Sequence, residues 1–320
     1  MHKLDAIDRK LLLELDKNSR SADTWLAKRI GRSREAVRYR IKQLQDKGII
    51  RNFVTIVDLS QLGYQAYSLY ATVRGKTEER DKFYNHLKKQ HNIFWFAVSE
   101  GAWDVGMYIL ARSNEEFLQQ KISLLAKYRH LIINKEISVL ADLRLYPKKY
   151  LLPSTEDPVR LFDHLHSENI DQTDRKVLKG LLHNARSSLV ELSQITGLSI
   201  DIIRGRMRKM EEKKIILKYS VDIDHMALGL QYFKVFINFD NPTSAQESKF
   251  IQYCQEKKEV ISFARVAASW DAEIGVIVES FQKFNEFIRT VKDEFSDLII
   301  DTEAAAVSEE YLLKDILPFS

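Results

Sequence analysis

The side chains best spaced for chemistry lie in one short stretch, residues 33–51, SREAVRYRIKQLQDKGIIR. Arg34, Arg38 and Lys42 recur at i, i+4 and i+8, with Tyr39 and Arg40 beside them. On a helix that spacing gathers cations on one side. From there they can reach phosphates or guanine edges, while Tyr39 packs on a sugar or a thymine methyl. Val37, Ile41 and Leu44 form an apolar stripe on another side, built to be buried. Ser33 stands where an N-cap belongs and Gly48 where a C-terminal stop belongs. Arg40 lies close to the apolar stripe, so its alternative is an ion pair with an acid on the first helix. For the whole stretch the competing reading is an ordinary solvated basic face.

A second constellation is Glu100-Gly101-Ala102-Trp103-Asp104 and its counterpart Ala268-Ser269-Trp270-Asp271. A glycine beside an acid on a turn between strands can receive a small ligand, with backbone N–H groups and a carboxylate for an ammonium. That makes Glu100, Gly101, Asp104 and Asp271 candidate effector ligands. Alternatively Gly101 simply makes the turn, and Trp103 and Trp270 fill core or interface space. The second turn has no glycine, so the two are not expected to bind alike. His86, His91 and His130 show no metal spacing, and the two-residue gap of His164 and His166 is a poor zinc signal. No GxGxxG, GxxxxGK[ST] or GxSxG occurs. No catalytic residue, metal or cofactor is therefore assigned.

These residues sit in a chain that repeats itself. Asp8-Arg9-Lys10-Leu11-Leu12 recurs as Asp174-Arg175-Lys176-Val177-Leu178, an offset of 166 that also carries Gly31 onto Gly197 and Ser33 onto Ser199. Trp103-Asp104 recurs as Trp270-Asp271 at an offset of 167. Two copies of a unit of about 150 residues follow. In each, an amphipathic helix precedes a short helix, a glycine turn and the basic helix, which is the helix-turn-helix pattern. A strand over 49–57 is expected to be a wing. Then comes a β-α-β-β-α-β order, the ferredoxin-like arrangement. The fold class expected is α+β: two winged helix-turn-helix domains at 1–60 and 169–225, and two ferredoxin-like domains at 64–147 and 229–320. The linker at 148–168 is rich in proline, with a short helix expected over 159–166.

In the second copy Ile200 replaces Arg34, and Gly205 replaces Tyr39 at a cost of about 1 kcal/mol against alanine. Arg204, Arg206, Arg208 and Lys209 persist, which favours retained DNA binding over a copy that only packs. Net charge is +7 over 1–52, +2 over 53–167, +4 over 168–218 and −9 over 219–320. A phosphate backbone attracts the two basic blocks and repels the last. The single cysteine, Cys254, excludes an internal disulfide and a cysteine-based metal site, and a reducing, cytoplasmic setting is expected. No uncharged apolar run reaches membrane-spanning length.

The segments LDAIDRKLLLELDKNSRSADTWLAKRIGRSREAVRYRIKQLQDKGIIRNF, LGY (62–64) and EGAWDVGMYIL together resemble the Lrp/AsnC (feast/famine) transcriptional regulators. The resemblance spans residues 4–146 and again 170–313. It implies sequence-specific binding of double-stranded DNA and ferredoxin-like domains of the RAM type. It also implies homo-oligomerisation through those domains, and a small-molecule effector such as an amino acid. Family members usually carry one unit per chain, so this chain resembles a ready-made dimer. Their effector turn commonly reads Thr-Gly-x-x-Asp; here Glu100 and Ala268-Ser269 depart from it. An enzymatic branch of the same fold, the sirohaem decarboxylases, also occurs as paired units. It uses basic and histidine side chains around the sheet-domain cavity, and neither turn here holds a histidine.

Overall fold

A computed structural model describes residues 3–162, 164 and 168–312. In the first unit, α1 (Ala6–Lys17), α2 (Asp23–Ile30) and α3 (Arg34–Asp46) form the three-helix module. Each end is locally encoded. Asp5 and Asp8 make a reciprocal capping box on α1, Gly31 ends α2 at φ 66°, and the Ser33 hydroxyl accepts from the Ala36 N–H. Such caps satisfy helix-end donors that would otherwise be orphaned. Leu11, Leu12, Leu15, Leu26, Val37 and Leu44 meet in the core between the helices. The second unit repeats this with α6 (Gln172–His183), α7 (Leu189–Thr196) and α8 (Ile200–Glu212).

The strand expected to be a wing does something else. β1 (Ile50–Val57) pairs antiparallel with its own counterpart, β7 (Ile216–Ile223), so the ribbon joins the two units. The helices are exchanged over it: α1 packs on β7 and α6 on β1. Ser19 N–H donates to the Tyr219 carbonyl at 2.9 Å, and Ala185 N–H to the Phe53 carbonyl at 3.0 Å. Arg20 donates to the carbonyls of Ala185 and Ser187, while Arg186 reaches Ser19, Ser21 and Asp23. A wing needs a hairpin partner in its own unit; here the chain after β1 enters a short 3-10 turn at Leu59–Leu62. The ladder groups of β1 are instead met by β7.

The first ferredoxin-like domain comprises β2 (Gln65–Val73), α4 (Thr77–Leu87), β3 (Ile93–Gly101), β4 (Val105–Ala111), α5 (Asn114–Ala126) and β5 (Ile132–Leu145). The second comprises β8 (Gln231–Phe239), α9 (Ser244–Glu256), β9 (Val260–Ala267), β10 (Ala272–Val278), α10 (Phe281–Glu294) and β11 (Ile299–Leu312). Their strands lie in the order β2-β4-β3-β11-β8-β10-β9-β5, and β5 returns to β2, so eight strands close into a ring. Two long strands make the seams. β5 pairs with β2 through its first part and with β9 of the other unit through its last; β11 bridges β8 and β3 likewise. Closure pairs the edge strand β3 with β11 and the edge strand β9 with β5.

Alternation along the strands then sorts side chains to two sides. Tyr67, Leu69 and Ala71 face an outer core with Phe83 and Phe117, while Ala66 and Tyr70 face the ring interior. In the linker, Val159–Leu161 form a strand, β6, on the edge of β5, where a helix was expected. The later part of that expectation, including His166, lies outside the described residues.

Candidate nucleic-acid interface and barrel interior

The cap at Ser33 and the stripe of Val37, Ile41 and Leu44 fix α3 with its other side outward. Arg34 and Lys42 are exposed there and make no ion pair among the described residues. Tyr39 is 64% exposed, its hydroxyl accepting from Gln43 Nε2 at 2.9 Å. Arg38 is exposed as well, but its Nε donates to Asp23 Oδ2 at 2.6 Å, and Asp23 is shared with Arg186 of the other unit. Arg40 is turned inward to the α1 capping box, 2.8 Å from Asp5 and 2.6 Å from Asp8. The hydrogen bonds it donates to both acids hold its proton more tightly than usual. Arg40 thus takes the ion-pair alternative.

The second recognition helix is differently spent. Arg206 binds Asp171 and Asp174, the counterparts of Asp5 and Asp8, and Lys209 joins Asp174 at 2.8 Å. Arg204 and Arg208 stay exposed in pairs within the helix, with Asp201 and Glu212. Around them the surface is apolar: Val190, Ile195, Ile200 and Ile202 are all exposed, where the first unit has Thr24, Arg29, Arg34 and Ala36.

At the first turn, Asp104 Oδ2 accepts from the Val73 N–H at 2.7 Å. At the second, Asp271 Oδ2 accepts from the Phe239 N–H at the same distance, 2.7 Å. Each acid therefore clamps the neighbouring strand of its own sheet. Gly101 has φ +117°, and a Cβ there would lie 2.6 Å from the Ala304 carbonyl oxygen of β11. Ala102 N–H donates to that same oxygen at 3.0 Å. The glycine thus allows two backbones to meet at the seam. Glu100 is exposed. The turns aim Trp103 and Trp270 into the ring, with centroids 6.0 Å apart.

Inside the ring lies a charged cluster that spacing along the chain does not reveal. Glu273 Oε2 accepts from Tyr70 at 2.7 Å and Tyr108 at 2.8 Å, and lies 2.9 Å from Lys234 Nζ; Oε1 accepts from Trp270 Nε1 at 3.2 Å. Lys234 also donates to the Tyr108 hydroxyl at 2.6 Å. Burial, reinforced by the Glu273 charge, raises both tyrosine hydroxyls well above their ordinary pKa. Both tyrosines come from the first unit, both charges from the second. A signal existed: QYFKVFINF and AEIGVIV each hold one charge in an otherwise largely apolar strand. Such a charge inside a ring must be paired.

With the geometry in place, the class is a two-unit helix-turn-helix protein whose ferredoxin-like domains close on each other. Residues 4–51 match a winged helix-turn-helix DNA-binding domain, and residues 170–211 an AsnC-type helix-turn-helix domain. The chain is 27% identical over 129 residues to an uncharacterised helix-turn-helix transcriptional regulator of Pyrococcus furiosus, covering 40% of this chain and 83% of that one. It is 28% identical over 151 residues to the glutamate uptake regulatory protein of Zymomonas mobilis, covering 47% and 90%. Regulatory protein AsnC of Haemophilus influenzae is 22% identical over 149 residues, covering 45% and 99%. Each half of the chain is thus similar to Lrp/AsnC-type regulators, and two such units stand in tandem. Over its whole length the fold is also that of the siroheme decarboxylase NirDL: TM-score 0.63 at 12% identity, covering 99% of this chain and 95% of that one. No helix among the described residues is long and apolar enough to cross a membrane.

Proposed function

We propose that this protein is a DNA-binding transcriptional regulator in which one chain supplies both halves of the usual dimer, acting in the cytoplasm and assembling further through its ferredoxin-like domains. The observation that carries the reading is the outward face of α3. Arg34, Lys42 and Tyr39 are exposed on a helix whose opposite side is fixed in the core, and both cations lack an ion-pair partner among the described residues. Ser33 and Arg38 flank that face, and Arg204 and Arg208 are the corresponding second-unit contacts. Two readers on one rigid ribbon raise each other's effective concentration on one duplex. Because Ile200 and Gly205 stand where the first unit has Arg34 and Tyr39, the preferred site is non-palindromic. Selection from random duplexes, followed by affinity measurements across a salt series, tests this. A perfect palindrome, or affinity indifferent to salt, contradicts it.

Glu100, Gly101, Asp104 and Asp271 are the proposed effector turn only in so far as a partner molecule opposes them, because the two aspartates already hold strand N–H groups. A second reading, a sirohaem decarboxylase-like enzyme, is favoured by the whole-chain likeness in fold. A Soret band shift on adding sirohaem, with loss of carboxylate groups from it, would establish that reading instead.

A further inference from the structure

Between the β1–β7 ribbon and the barrel lies a cavity of about 240 Å³. The space is partly open to solvent and large enough to take a small organic molecule. Its wall is mainly aromatic and aliphatic, with Phe94, Trp95, Leu143 and Leu161 among the residues that form it. Polar groups break that wall at a few places, which is the usual make-up of a small-molecule site.

Two of those groups are unspent. The Tyr150 hydroxyl and His225 Nδ1 are buried without a hydrogen-bond partner among the described residues, although their rings meet edge to face at 5.4 Å. Buried polar atoms are almost always paired, so these two atoms on one wall are the groups that a ligand's polar end would meet. Lys234 also lines the cavity and uses two of its ammonium protons, on Glu273 and Tyr108. An ammonium has three to give.

The donors on the wall suit an anionic group on the ligand. Lys148 lines the cavity and shares a single acid, Asp16, with Lys218, at 3.0 and 3.3 Å. Arg51 is balanced by Asp222 and Lys234 by Glu273. Burial favours the neutral form of Glu310, which accepts from Trp95 Nε1 at 2.8 Å. The wall therefore presents the ammonium groups of Lys148 and Lys234, and His225 stays neutral beside them, through burial and through Lys148 and Arg51.

We infer that this cavity binds a small, largely apolar carboxylic acid of one or two rings, its carboxylate received by Tyr150 and Lys234. The site is separate from the turns at Asp104 and Asp271 and does not depend on DNA binding.

Calorimetric titration of the full chain with indole-3-acetate, 4-phenylbutyrate and phenylpyruvate tests it, with uncharged indole alongside and thermal unfolding as a second readout. At least one of the acids binds one site per chain, raises Tm, and binds more tightly than indole. Tyr150→Phe leaves the ligand-free Tm unchanged or higher, because the hydroxyl it removes had no partner, and weakens the acid about tenfold or more. Leu161→Trp fills the space and abolishes binding; if that variant does not fold, Tyr150→Phe decides alone. No binding of any acid up to millimolar concentration overturns the site. Equal affinity for indole overturns the carboxylate, and unchanged affinity in Tyr150→Phe overturns the assignment of the orphaned hydroxyl.

Discussion

Tyr70 of the first unit donates its hydroxyl to Glu273 of the second at 2.7 Å, inside the closed ring of strands. The contact is asymmetric by construction. At the position equivalent to Tyr70 the second unit has Phe236, and at that equivalent to Glu273 the first has Gly106. Gly106 is also what lets the Tyr70 ring lie where it does, since a Cβ there would sit 2.6 Å from it. Two second units paired with each other would bury two glutamates, each without the Tyr70 and Tyr108 hydroxyls. The cluster thus favours one half of the chain pairing with the other.

That asymmetry fixes an order of stabilities. Tyr70→Phe removes one donor from a buried carboxylate and costs about 1.5–3 kcal/mol. Glu273→Leu leaves Lys234 buried without its counter-ion and costs more, about 3–5 kcal/mol. A Lys234→Met, Glu273→Leu double variant recovers much of that loss. Urea unfolding of these proteins, with Lys234→Met alone beside them, checks the order, and a double variant as unstable as the sum of its two single variants contradicts it.

On the reading helix, Arg34→Ala and Lys42→Ala each lower DNA affinity across all sequences and reduce the slope of log affinity against log salt by about 0.9 for each phosphate left without its cation. Arg40→Ala leaves that slope unchanged. Its effect falls on the α1 capping box through Asp5 and Asp8, costing up to about 1 kcal/mol at this partly exposed pair. Fluorescence anisotropy at several salt concentrations, beside thermal unfolding, separates the two behaviours.

Acid lowers the stability of the protein over two pH ranges. His225 is held neutral, its pKa lowered to about 3 by burial and then by Lys148 and Arg51. The unfolded chain takes up that proton near pH 6.5, so stability is full above that value and declines as pH falls towards 3. Burial alone would raise Asp16, yet Lys148, Lys218 and the Ser220 hydroxyl outweigh it and bring its pKa to about 2. Its contribution, on the order of 2 kcal/mol, is present above about pH 4 and lost between there and about pH 2. Unfolding free energies from pH 8 to 3 show the first decline in the native chain, and His225→Phe flattens it. An unaltered slope in that variant would place the titration elsewhere.

Gly101→Ala tests the seam between the units. The new methyl meets the Ala304 carbonyl at a φ of +117°, so strain and the shift of β11 together cost about 2 kcal/mol or more. Amide exchange should quicken on β3 and β11 before it does on β2 and β5.

Local chemistry made part of this structure readable in the chain itself. Asp5, Asp8 and Ser33 cap helices through neighbours three residues away, so those helix starts needed no tertiary contact to be seen. The duplication and the strand-helix alternation were likewise visible, because periodicity is a property of adjacent residues. The wing misled for the opposite reason. A run such as Ile50–Val57 shows that a strand forms, but not which edge it meets, and its partner β7 lies more than 150 residues away. The short helix expected at 159–166 failed in the same way, since β6 is a strand only because the edge of β5 is there to receive it.

The candidate site divides along the same line. From the sequence came the cations of α3 and their spacing, along with the weaker second helix in which Ile200 and Gly205 stand for Arg34 and Tyr39. Only the tertiary structure decided which cations remain available. It turned Arg40, Arg206 and Lys209 onto the acids of α1 and α6, and it left Arg34 and Lys42 facing outward. It also drew Tyr70, Tyr108, Lys234 and Glu273 from four strands into one cluster. Helical spacing is set by the backbone within a few residues, whereas ion pairing and ring closure depend on which distant segments pack together, and no local pattern carries that information.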